Sequence, residues 1–340
     1  MGRLTYWLVA GVAALAGAGV WVYRASNVDA APTRPEAVAA LVQSAWTDGR
    51  TVALQGRQET FTQGVDRPID AEVVQSGDGQ VRIKYLTEPL ANVTVWENGD
   101  RTYRYNPKLK RLTVAKKRSS ETPEEQGRLL LENYEPRAAG SATIAGHKAT
   151  VVELRPKSGK GCWKRVWIDP DTKVILGSED RKAEGQVIRS SRFEQIRYLD
   201  TPPAPDTFRP PAELVQKYGT ALVGDTSATF PVADLAKILG FDIREPRWLP
   251  KGYAFLGASQ TPCTCGERHQ AARLEYGDGL NTISLFQCGH PACVNTDNCF
   301  ASGPDTPGAF RYRRGRYFYL AIGDAPEKDL ERMVRSAADL

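Results

Sequence analysis

The chain has 340 residues, 41% of them hydrophobic and 25% charged, with a formal net charge of +5 at pH 7. That apolar fraction is ordinary for folded protein and the length suits two globular domains, which excludes wholesale disorder. Lys and Arg are spread along the sequence rather than gathered into a tail, so the charge carries no nucleic-acid signature.

Leu4 to Tyr23 contains no charged residue and is bracketed by Arg3 and Arg24. A helix of about 20 residues spans ~30 Å of hydrocarbon. Tyr6 and Trp7 at one end, with Trp21 and Tyr23 at the other, form the aromatic belt of a resident membrane helix. The expectation is an N-terminal transmembrane anchor within residues 1–30, holding the chain at the inner membrane with its bulk in the periplasm or extracytoplasmic space. The competing reading is a signal peptide cleaved after Val28-Asp29-Ala30. Under either reading the bulk is exported.

After a polar spacer, Glu36 to Thr47 places Val38, Leu41, Val42, Ala45 and Trp46 at helical spacing. From Thr51 to Val114 the texture changes to short runs rich in Val, Ile, Thr, Tyr and Trp, with turn signals at Ser76-Gly77-Asp78-Gly79 and Asn98-Gly99-Asp100. Strands are expected at Val81 to Tyr85, Val93 to Glu97, Thr102 to Tyr105 and Arg111 to Val114. Thr122-Pro123-Glu124-Glu125 opens a helix running to Tyr134, with a hydroxyl cap, a first-turn proline and acidic residues that suit the positive dipole end. Further strands are expected at Lys148 to Arg155, Cys162 to Ile168, Val174 to Asp180 and Val187 to Tyr198. The sum is an α+β arrangement with a sheet of about seven or eight strands.

Thr201-Pro202-Pro203-Ala204-Pro205 and Phe208-Arg209-Pro210-Pro211 break both periodicities and mark a boundary between domains at 36–210 and 225–340. Beyond it a helix is expected at Val232 to Leu239 and a loop at Trp248 to Tyr253. Strands follow at Ala272 to Tyr276, Thr282 to Gln287 and Arg316 to Ile322, and a closing helix at Glu327 to Ala338.

Tyr103-Arg104-Tyr105-Asn106-Pro107-Lys108, Asn133-Tyr134-Glu135, Ile144-Ala145-Gly146-His147-Lys148-Ala149, Val151 to Lys157, Val166-Trp167-Ile168-Asp169 and Phe193-Glu194-Gln195-Ile196 form a pattern of strands and turns. Across residues 36 to 210 it resembles the MucB/RseB family of sigma-factor regulatory proteins, whose N-terminal domain is similar to the carriers LolA and LppX. The resemblance implies an unclosed antiparallel β-barrel with helices across its concave face, followed by a smaller α+β C-terminal domain. It also implies a groove for a lipid or acyl-bearing ligand and a membrane anti-sigma factor as partner. Pro246-Arg247-Trp248-Leu249-Pro250-Lys251-Gly252-Tyr253 is similar to the entry of the family's small second domain, and the cysteine insertion that follows departs from it.

Five of the six cysteines, Cys263, Cys265, Cys288, Cys293 and Cys299, cluster in the C-terminal part, and Cys162 stands apart. An oxidising compartment makes these five disulfide candidates, with connectivity open. Cys263, Cys265, Cys288 and His290 bring thiolate and imidazole donors close together and are the alternative, a soft-metal site. Cys-x-Cys is not the usual zinc spacing. No nucleophile elbow, phosphate loop or dinucleotide fingerprint is present, and His147, His269 and His290 are the only histidines. The reading is a non-catalytic binding protein without cofactor, in an envelope-sensing role. The rivals are a periplasmic lipid or lipoprotein carrier and a metal- or thiol-dependent exported enzyme. Two basic runs, Lys108 to Arg118 and Arg311 to Tyr319, read as solvated hairpin faces, the first also as a surface for lipid phosphates.

Overall fold

The computed structural model describes residues 34–99, 101–116, 122–159, 161–222, 230–263, 269–289, 308–323 and 325–339. The expected anchor at Leu4 to Tyr23 lies outside the described residues. Among those described, no helix is long and apolar enough to cross a membrane.

Twelve strands form the first sheet. They are β1 (Leu54–Thr62), β2 (Ile69–Gln75), β3 (Val81–Tyr85), β4 (Thr94–Asn98), β5 (Arg101–Asn106), β6 (Arg111–Lys116), β7 (Tyr134–Ile144), β8 (His147–Pro156), β9 (Trp163–Ile168), β10 (Ile175–Arg181), β11 (Val187–Tyr198) and β12 (Ala221–Leu222). Their order is β12-β6-β5-β4-β3-β2-β1-β11-β10-β9-β8-β7, antiparallel except for the β12–β6 pair, and the terminal strands do not join. The sheet is strongly curled without closing. Three strand steps separate β8 from β11, about 14 Å in a flat sheet, yet the rings of His147 on β8 and Tyr198 on β11 are 4.8 Å apart.

More strands form than the sequence patterns suggest because several carry little alternation. The edge strand β7 contains Pro136 and Gly140 and exposes much of its length. Proline is tolerated there because an edge strand has N–H groups with no ladder partner. Central β1 reads LQGRQETFT, and Gly56 is required where Phe193 of β11 lies across it: a Cβ would meet the ring at 2.9 Å.

Two helices cover one face at the β7 end. They are α1 (Pro35–Thr47) and α2 (Pro123–Asn133). In α2 the expected hydroxyl cap is present and is completed into a capping box: the Glu125 N–H donates to Thr122 Oγ1 at 3.2 Å, and the Thr122 N–H donates to the Glu125 carboxylate at 2.9 Å. Val38, Val42, Ala45 and Trp46 of α1 pack with Leu130 of α2 onto Val152, Leu154, Val166 and Ile168. The α1 spacing of three and four residues turns one stripe to the sheet.

The second, smaller sheet has the order β13-β14-β15-β17-β16, all antiparallel. Its strands are β13 (Ala254–Pro262), β14 (Gln270–Gly277), β15 (Thr282–Cys288), β16 (Ala309–Arg314) and β17 (Tyr317–Gly323). Two further helices, α4 (Val232–Leu239) and α5 (Glu327–Ala338), share its core, and α3 (Ala212–Tyr218) follows the first sheet's last long strand. Leu330, Met333, Val334 and Ala337 of α5 are fully buried with Leu274, Ile283 and Leu285. The fold class is the expected one: an unclosed antiparallel sheet with helices, followed by a smaller α+β sheet domain.

Candidate functional site

Strand register sorts the residues of β8 to β10 between two faces. Val152 pairs with Val166 and faces the helices, whereas Val151 pairs with Trp167 on the opposite face. There Val151 and Trp167 join Leu54, Val73, Leu176 and Phe193 in one apolar cluster. Gly177 pairs with Trp167, and the nearest indole carbon stands 3.5 Å from where a Cβ would be, an ordinary contact.

Two residues further along, the same face becomes charged. Glu153 on β8, Arg165 on β9 and Glu179 on β10 stand side by side in register. Beyond them Trp163 pairs with Arg181. Arg155 lies 4.0 Å from the Trp163 ring centre, with Arg181 at 5.3 Å and Arg165 at 5.6 Å. Glu153 accepts from Arg155 Nε at 2.9 Å and Arg165 Nη2 at 2.6 Å. Burial pushes the Glu153 carboxyl up, but hydrogen bonds from the two arginines outweigh it and hold the group below the usual range. Within one strand period the face therefore passes from an apolar floor to an ordered ladder of guanidinium and carboxylate groups.

At the end of β9, residues from separate strands converge on Asp169. Tyr198 Oη donates to Asp169 Oδ2 at 2.5 Å, and the N–H groups of Asp171 and Thr172 donate to Oδ1 at 2.9 and 3.2 Å. His147 Nδ1 stands 3.8 Å from the same carboxylate. Burial disfavours the Asp169 anion, yet the Tyr198 and backbone donors prevail and its pKa falls below the ordinary value. The carboxylate anchors the β9–β10 turn and the end of β11, with its oxygens taken up by donors.

The two sheets meet at a polar joint. Tyr134, the first residue of β7, donates from Oη to Asp278 Oδ2 at 2.6 Å, and Asn281 Nδ2 donates to the Tyr134 oxygen at 2.8 Å. Asp278 Oδ1 accepts the N–H groups of Leu280 at 2.9 Å and Asn281 at 2.7 Å. Asn133 Nδ2 bridges the backbone oxygens of Gly252 and Asp278 at 2.9 and 3.1 Å. Gly279 adopts φ +93° and lies against α2 so closely that a Cβ would sit 2.3 Å from the Leu130 nitrogen. Sequence reading placed Asn133-Tyr134 in a motif but had no signal for their partners, which lie 119 to 147 residues downstream.

Of the cysteines singled out, Cys263 and Cys288 are buried in one cluster with Ala271, Phe318 and Leu320. Cys265, His290, Cys293 and Cys299 lie outside the described residues, so the structure brings together only two of the candidates. Among the described residues no group of three or more His, Cys, Asp or Glu side chains is arranged to hold a metal ion. Cys162 is half-buried immediately before β9 in the first sheet.

Residues 72–212 match the model of the MucB/RseB N-terminal domain. A curated relative, the sigma factor AlgU regulatory protein MucB of Pseudomonas aeruginosa, is 26% identical over 208 residues, and the match spans 60% of each chain. The crystal structure of MucB is similar over 89% of this chain and 96% of that one, with a TM-score of 0.57 at 19% identity. The MucA/MucB complex structure from Pseudomonas aeruginosa is similar over 87% and 96%, with a TM-score of 0.58 at 18% identity. The structural likenesses extend through both sheets. Residues 72–212 thus carry the likeness to the MucB/RseB N-terminal domain, and the two-sheet fold is similar to that of MucB.

Proposed function

We propose that this chain is a non-catalytic regulator of the cell envelope that acts in the periplasm on a membrane anti-sigma factor and responds to an acyl-bearing ligand. It is tethered at the inner membrane by residues 1–30, and the clustered cysteines of its second domain form disulfides. The observation that carries the reading is the family domain at 72–212 joined to a second sheet domain in the arrangement found in MucB, a protein solved in complex with MucA. The joint built on Tyr134 and Asp278 supports a signalling role, because a ligand that alters the first sheet has a hydrogen-bonded route to the second.

The ligand half of the proposal is supported by the face of the first sheet opposite the helices. An apolar floor of Val151, Trp167, Leu176 and Phe193 beside a ladder of Arg and Glu side chains matches a molecule with an acyl chain and a polar head. Native mass spectrometry of the periplasm-purified chain is expected to detect acyl lipid that leaves on denaturation. Deleting the protein is expected to raise transcription dependent on an extracytoplasmic sigma factor. A bare protein would remove the ligand half, and unchanged transcription would remove the regulatory half. Transfer of lipid between vesicles without any effect on transcription would instead favour a carrier.

A further inference from the structure

The basic run around Lys108 is not absorbed by the family reading, and its geometry is specific. Asn106, Pro107, Lys108, Leu109, Lys110 and Arg111 form the turn between β5 and β6. Asn106 Oδ1 accepts the Leu109 N–H at 3.2 Å, the Pro107 oxygen accepts the Lys110 N–H at 3.2 Å, and Lys110 takes a left-handed φ of 48°. This bonding presents Leu109 at the apex, 50% exposed, between exposed Lys108, Lys110 and Arg111. Glu88 pairs with Lys108.

A single exposed leucine is ordinary. Here, however, the neighbouring helix α3 buries none of its side chains and presents Val215, 39% exposed. Leu109 and Val215 are two of the four large apolar residues exposed in the described part of the chain. Tyr105 of β5 and Tyr218 of α3 meet with ring centres 5.5 Å apart and planes tilted by 35°, and Lys217 Nζ lies 5.4 Å from the Tyr218 ring. The patch thus combines aliphatic tips, a tyrosine pair and the cations Lys108, Lys110, Arg111 and Lys217, against Glu88 and Glu213. It is a convex turn and not a groove, so it offers no channel for an extended acidic peptide. Aliphatic tips ringed by long cationic side chains, with tyrosines behind, match the order of a bilayer interface: acyl boundary, phosphates, polar headgroups.

We propose that the β5–β6 turn together with α3 docks on an anionic phospholipid surface, Leu109 entering the headgroup layer while Lys110, Arg111 and Lys217 meet lipid phosphates. Docking at this tip is independent of whether the first sheet holds an acyl ligand, so either can fail without the other. Each cation near an anionic leaflet raises affinity about five-fold.

The test uses the full chain in vesicles of phosphatidylcholine, with and without phosphatidylglycerol, carrying a photo-reactive benzoylphenylalanine at Leu109 or, as a control, at exposed Glu184 in the β10–β11 turn. Phospholipid adducts are expected at position 109, more abundant by about five-fold or greater with phosphatidylglycerol and suppressed by high salt. The Lys110→Glu/Lys217→Glu pair, introduced with the reporter in place, is expected to reduce them to the level at position 184. Thermal melts establish that these surface variants keep the fold. Equal labelling at the two positions, or labelling at 109 indifferent to lipid charge and to charge reversal, overturns the proposal. So does labelling in whole cells that goes to an acidic protein in place of lipid.

Discussion

Tyr134 and Asp278, 144 residues apart in the chain, share a buried hydrogen bond of 2.6 Å that ties the first strand of the β7–β8 hairpin to the β14–β15 turn. The tyrosine's hydroxyl is pushed far above its usual pKa by burial and by the neighbouring carboxylate. It therefore stays protonated as a donor. Replacing it, Tyr134→Phe, leaves a buried carboxylate short of one donor, which is expected to cost ~1–3 kcal/mol. Urea denaturation of the variant reads this loss, and a cycle with Asp278→Asn is expected to yield a coupling of at least ~0.5 kcal/mol. Additive effects would show that the contact does not hold the domains.

Gly279→Ala is a harder insult to the same joint. The new methyl would meet the Leu130 nitrogen at 2.3 Å, and the φ of +93° is strained for any L side chain. Because the obstruction is helix backbone, the domains must separate or the turn must rearrange. We expect the two sheets to lose their common unfolding transition in calorimetry, the second melting apart from the first.

Acid is expected to weaken the first sheet before neutral conditions do. Asp169 and Asp180 both have pKa values held below the ordinary range. Tyr198 and backbone donors outweigh burial at Asp169, and Lys164 and Arg189 outweigh it at Asp180. Lowered folded-state values mean that their stabilisation is complete above the unfolded pKa, ~4, and disappears as pH falls through the folded values. Denaturation midpoints measured from pH 7 downward are expected to stay level to about pH 5 and then decline. In Asp180→Asn the decline should be shallower and the starting stability lower.

Trp163 is the keystone of the charged ladder. It is 6% exposed beneath three arginines, and Trp163→Ala is expected to cost ~3–5 kcal/mol. The tryptophan also holds Arg155 and Arg165 against Glu153, so the variant should lose any preference for acyl ligands with polar heads while keeping apolar binding. Competition between lipids of equal chain length and different head groups measures this.

The clustered cysteines are expected to appear as disulfide-linked peptides when the protein is digested without reduction. Cys263 and Cys288 are buried in one apolar cluster, and an oxidising compartment favours disulfides. Recovery of all five as alkylatable thiols would turn attention to metal or redox chemistry.

Much of this architecture is local and could be read from the residues. The capping box at Thr122 and Glu125 uses neighbours in sequence, and the α1 and α5 stripes follow from helical spacing alone. Strands Val81–Tyr85 and Val187–Tyr198 and helices Val232–Leu239 and Glu327–Ala338 carry their signal in their own composition. Strands β1 and β7 do not, because one gains its place from partners on both sides and the other lies on an edge where alternation relaxes.

The sequence by itself determined antiparallel strands, capped helices and a second small domain, together with a resemblance to MucB/RseB proteins, all carried by turns and strand motifs whose interactions span a few residues. Only the tertiary structure decided what those motifs do together. Asp169 collects Tyr198 and the turn after β9, Trp163 collects three arginines from three strands, and Tyr134 finds Asp278 in the other sheet. Such contacts depend on strand register and on how far a sheet curls. These quantities are set by the packing of the whole core and leave no mark at any one position in the chain.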